Sequence, residues 1–159
     1  MKLAVVITIL VLTNGAFIFA EVPDLQKEKA ELLRLHQEER KAHFNTDVEL
    51  LLAHQGEEFI SVANGKINTE KKQQSSEFFR KYFQTAKYFE WDDMEAPIVR
   101  ISKDASMAWV IVRVKVRRTQ KDVSGKETET KFIYAGIMTY EKQNNKWMAI
   151  ANVSTFELL

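Results

Sequence analysis

Met107–Arg118 reads MAWVIVRVKVRR, and its alternation decides the architecture of the chain. In an extended strand Val110, Val112, Val114 and Val116 fall on one face, while Trp109, Ile111, Arg113, Lys115 and Arg117 fall on the other. The valine face suits a core. The opposite face is apolar at one end and basic at the other. Its apolar end needs a cover, most simply a second subunit, unless that face turns into a cavity where Arg113 holds an anionic ligand.

Downstream, a loop around Ser124-Gly125 returns the chain into TKFIYAGIMTYEK. Phe132, Tyr134, Met138 and Tyr140 share one face of that strand, and Ile133, Ala135 and Ile137 the other. A strand that is apolar on both sides is covered on both sides, so a homodimer through the sheet face is expected. Asn144-Asn145 is a two-residue hairpin signal, and WMAIANVSTF closes the sheet. The glycosylation triplet Asn152-Val153-Ser154 falls inside this strand and is discounted.

Upstream, Phe89–Pro97 reads FEWDDMEAP, with proline breaking the extended run from about Tyr88 to Ser102. Trp91 and Asp93 share a face and Asp92 takes the other, so at most one of the carboxylates looks inward. A carboxylate desolvated beside aromatic rings could serve as an acid or base; the plainer account is a pair of surface carboxylates before a bend.

Before this point the period is helical. Asp24 to Asn45 carries Leu25, Leu32, Leu33 and Leu35 without Gly or Pro. Asp47 caps a short second helix, DVELLLAH. EEFISVANGK is a strand running into an Asn64-Gly65 turn, and Thr69 and Glu70 open a third helix with a stripe of Phe78, Phe79, Tyr82, Phe83 and Ala86. Three helices and one early strand therefore precede a long antiparallel meander, which makes an α+β domain with helices on one side of a curved sheet.

At the very start, Met1–Ala20 has one lysine, an apolar run and a small residue at a plausible cut, the pattern of an export signal; an uncleaved membrane anchor is the alternative. The remaining chain, with its domain at residues 24–157, is the size of one compact unit. With 23 basic and 22 acidic residues there is no electrostatic case for nucleic acid. The chain has no cysteine, which excludes disulfides, thiol nucleophiles and thiolate metal sites. No cofactor motif is present.

The short helix at Asp47, the strand ending in NGK, the aromatic third helix and the terminal strand opening with Lys146-Trp147 together resemble the nuclear-transport-factor-2-like superfamily, and within it the SnoaL-like group. The resemblance spans about Leu25 to Phe156. It implies a cystatin-like cone, a curved antiparallel sheet roofed by three N-terminal helices around a cavity, commonly dimeric. The family's enzymatic residues do not carry over. The general base of a ketosteroid isomerase would fall at about Ala63 or Asn64 and the oxyanion-donating tyrosine near Glu39, while Ala151 and Val153 stand where some relatives place histidines.

The first helix holds the main candidates for a site. Leu25 and Leu32 share a direction with His36, Glu39, Arg40 and His43, so an apolar stripe turns polar over its last two turns. Such a stripe lines a wet cavity or a subunit contact, or else it is solvated with Glu39 and His43 as an i,i+4 pair. His36 and His43 stand roughly 10 Å apart along the axis at 1.5 Å per residue, too far to share a metal, so no metal site is expected. His43 at a helix end and Asp47 as a cap are explained without a catalytic dyad.

The expected ligand contacts from α1 are His36, Glu39, Arg40 and His43. From the sheet they are Trp91, Asp93, Arg113 and Tyr134, with His43 and Asp93 as catalytic candidates. The leading expectation is an exported domain that holds a small, mostly apolar molecule. An acid-base enzyme of isomerase, cyclase or hydrolase type and a dimeric protein-interaction module are the alternatives.

Overall fold

The computed structural model describes residues 23–159; the export signal expected at Met1–Ala20 lies outside the described residues. Helix α1 (Leu25–Asn45) starts where the Asp24 carboxylate accepts hydrogen bonds from the Gln26 and Lys27 amides, and it ends at Thr46 in a left-handed conformation. Asp47 then caps α2 (Val48–Leu52). No helix among the described residues is long and apolar enough to cross a membrane.

Strand β1 (Gln55–Ala63) turns at Asn64-Gly65 into β2 (Lys66–Lys71), with both turn residues at positive φ as a tight hairpin requires. The third helix was expected from Thr69. Instead Thr69 and Glu70 pair with Ile60 and Phe59, and α3 (Lys72–Phe83) begins only after this ladder ends. The hairpin bonds satisfy backbone groups that a helix start would leave open.

Strands β3 (Ala86–Asp93) and β4 (Ile98–Ile101) both pair with β5 (Met107–Lys121), on either side of the break at Pro97. Strands β6 (Glu127–Gln143) and β7 (Lys146–Leu158) complete the meander through the Asn144-Asn145 hairpin. The sheet order is β2-β1-β7-β6-β5-β3, with β4 also on β5. One ladder departs from the antiparallel rule: β1 runs parallel to β7.

The valine face of β5 looks inward, with Val110, Val114 and Val116 at most 2 % exposed. Below it the core divides in two. One cluster packs Leu32 and Leu35 of α1 on Ala108, Val110, Tyr140 and Trp147. The other packs α2 and Phe83 on Tyr88, Trp91, Val114 and Val116. Trp147 also donates from Nε1 to Glu28 at 2.7 Å, and Lys142 pairs with the same carboxylate, so the first turn of α1 is tied to the sheet.

Candidate functional site

Between the two halves of the core lies a cavity of about 410 Å³. Rings line much of its wall, among them Phe59, Phe79, Tyr82, Tyr88, Trp91 and Phe132. A well-packed interior leaves few voids larger than a water, so a space of this size is a feature of the fold.

His43 reaches this wall from the last turn of α1 and is only 7 % exposed. Its ring lies 4.0 Å from that of Trp91, with Tyr88 and Phe83 at its edges. Nδ1 is 2.8 Å from the Glu39 carbonyl oxygen, which can only accept, so Nδ1 carries the proton and Nε2 is left as a lone-pair acceptor. Burial pulls the pKa down to about 4, against the effect of that carbonyl bond, and the nearby Arg118 charge pulls the same way as burial. At neutral pH the ring is uncharged.

One turn earlier, Glu39 lines the cavity and also a small void of about 10 Å³ behind it. No side chain among the described residues hydrogen-bonds its carboxyl. Burial raises its pKa, with His36 opposing and Asp93 reinforcing, so the neutral acid is favoured relative to an exposed glutamate. Tyr134 reaches the same floor from β6, and its hydroxyl accepts from Asn152 Nδ2 at 2.8 Å. The phenol lies over Gly136, where an added Cβ would come within 2.4 Å of the hydroxyl oxygen.

The far wall carries Arg118, which was absent from the sequence-based candidates. Its guanidinium lies over the rings of Tyr82 and Phe132, 5.3 and 5.6 Å from their centroids. Nε is buried without a partner, and no carboxylate among the described residues lies within ion-pair distance. The signal was in the sequence: Arg118 is the next inward position after Val116 in the same alternation.

Other expected site residues lie elsewhere. His36 is 4 % exposed and bonds Asp93 at 2.8 Å, touching only the small void. Asp93 is absent from the cavity wall because β3 carries it beyond the floor, where it meets His36 on an earlier turn of α1. Arg40 pairs with Asp92 at 2.6 Å, also outside the cavity. Arg113 is exposed, since its neighbours Val112, partly buried, and Val114, fully buried, occupy the inner face and put it on the outer one. Of the eight expected contacts, Glu39, His43, Trp91 and Tyr134 come together at the cavity. The solvated alternative for the end of α1 does not hold for His36 and His43. Among the described residues no three His, Asp or Glu side chains gather as a metal site.

Solved structures of the same shape are many. A ketosteroid isomerase-like protein from Erwinia carotovora atroseptica superposes with a TM-score of 0.61 at 16 % identity, covering 82 % of this chain and 96 % of that one. The fold is NTF2-like. An NTF2-like protein from Cytophaga hutchinsonii matches with a TM-score of 0.62 at 16 % identity over 80 % and 97 % of the two chains. Another, described as having a cystatin-like fold, from Novosphingobium aromaticivorans, matches at 0.59 and 17 % over 82 % of each. Neither a protein-family model nor a curated protein matches the sequence. At such identities the NTF2-like fold is shared and the chemistry rests with the site. Ala63 and Asn64, where the isomerase base would fall, sit at the β1–β2 turn and do not line the cavity.

Proposed function

We propose that this is an exported domain that holds a small, mostly apolar molecule in its cavity. The observation that supports it is the ring-lined space of about 410 Å³ between two separately packed core clusters, within the size range of ligand sites. A few polar groups, Glu39, His43 Nε2 and the Tyr134–Asn152 pair, fix orientation. The Met1–Ala20 pattern is the basis for export. Native mass spectrometry of protein purified from its own host should reveal a retained small molecule. A bare polypeptide mass, together with no thermal shift from any apolar probe, would refute the reading.

A second reading, acid-base catalysis on the bound molecule, draws on the free Nε2 lone pair of a neutral His43 at the wall. It requires that His43→Gln keeps ligand binding and loses turnover. The outer sheet face supports a homodimer. Ile98, Ile111, Ile137, Val153 and Val62 are successive cross-strand partners, an apolar row over five strands. Trp109 stands beside that row, 42 % exposed.

A further inference from the structure

The cavity is not uniformly apolar, and its charges are separated. Glu38 borders it but is engaged with Arg34 at 2.5 Å and His54 at 3.6 Å. Glu39 lies at the floor, against the small void shared with Val110 and Val112. Arg118 is six residues along β5 from Val112, about 20 Å of extended strand at ~3.3 Å per residue. No ion pair joins it to Glu39 among the described residues, whereas its charge does act on His43. Among the described residues, the guanidinium on the wall is therefore left unpaired by the carboxyl at the floor.

Two aromatic faces hold that guanidinium, its Nε is out of reach of solvent, and no protein acceptor meets it among the described residues. Burial without a partner disfavours its charged form, yet arginine stays protonated at any physiological pH. An unpaired, partly desolvated cation is a cost that an incoming anion removes, and a guanidinium presents a planar fork that matches a carboxylate. Because Arg118 keeps part of its surface, the anion would sit toward the open end, with the ligand body reaching past Trp91 to the floor.

Resting on the small-molecule reading above, we infer that the ligand is an amphipathic organic anion: a ring-containing apolar body in the cone and a single acidic head group on Arg118. A hydrogen-bonding group at the opposite end of the ligand meets Glu39 and Tyr134.

Two dyes with the same ring framework test this, anilinonaphthalene sulfonate and its uncharged parent phenylnaphthylamine. Fluorescence titration of the mature chain should show the sulfonate binding at least about tenfold tighter, a difference of ~1.4 kcal/mol. Each dye should displace the other. Arg118→Gln should remove most of the sulfonate's advantage and leave the uncharged dye within about twofold. A mutation-free arm uses naphthoate against naphthamide as competitors for the uncharged dye, with the carboxylate expected to be the stronger by a similar factor. Binding of the uncharged dye with no preference for either acid, or an unchanged preference in Arg118→Gln, overturns the anion assignment and leaves the cavity reading standing. Binding of neither dye overturns both.

Discussion

Replacing His43 by phenylalanine tests whether this ring is held neutral inside the fold. Phenylalanine keeps the contacts with Trp91, Tyr88 and Phe83 and removes the proton site. In the unfolded chain the imidazole titrates near 6.5, and in the folded protein burial holds it to about 4. Above pH 6.5 neither state binds a proton and the group is silent. As pH falls from 6.5 toward 4 the unfolded state takes up a proton that the native state refuses, so stability is lost across that window. Near pH 5 the deficit is about one and a half pH units of proton binding, or ~2 kcal/mol. Glu39 has the opposite sign, since its raised pKa favours the fold at low pH, but it is present in both proteins and cancels in the comparison. Urea denaturation followed by tryptophan fluorescence, at about pH 7.5 and about pH 5, should show wild type losing ~2 kcal/mol more than His43→Phe between the two conditions. The variant itself forfeits the bond to the Glu39 carbonyl, a pH-independent offset of about 1 kcal/mol. Parallel losses in the two proteins would refute the reasoning.

Glu28→Ala strips the acceptor from Trp147 and Lys142 and should cost about 1.5–3 kcal/mol of unfolding free energy in denaturant melts. Leu32→Ala empties a fully buried site in the first core cluster, and a loss of about 2–5 kcal/mol is expected by the same assay. Gly136→Ala should leave the fold intact but swing the Tyr134 phenol off its seat, which weakens apolar dye binding several-fold and frees Asn152 in an amide NMR spectrum. Ile137→Glu sets a charge in the middle of the outer apolar row and tests the proposed dimer: sedimentation velocity should report a dimer for wild type and a monomer for the variant.

The alternations of β5 and β6, the two Asn-containing hairpins and the Asp47 cap all express local rules, and each is where the sequence placed it. What escaped was set by contacts distant in the chain. The start of α3 depends on how far β2 pairs back on β1, which no residue of Lys66–Lys71 announces. Whether Asp93 reaches the cavity depends on how far β3 runs beyond the floor and on where α1 crosses the sheet. The orientation of the sheet, which sent Arg113 outward and Arg118 inward, followed once the valines were known to face the helices; the periodicity alone allowed both.

The parallel ladder between β1 and β7 has a bearing on how the molecule comes into being. Ile60 neighbours Ala151, so the strand that anchors the early hairpin is synthesised long after it. While it is being made, the chain has β1 in hand with nothing to lay it against until β7 has followed. Until then the early hairpin presents an open edge, and the sheet is completed only when both ends of the domain meet.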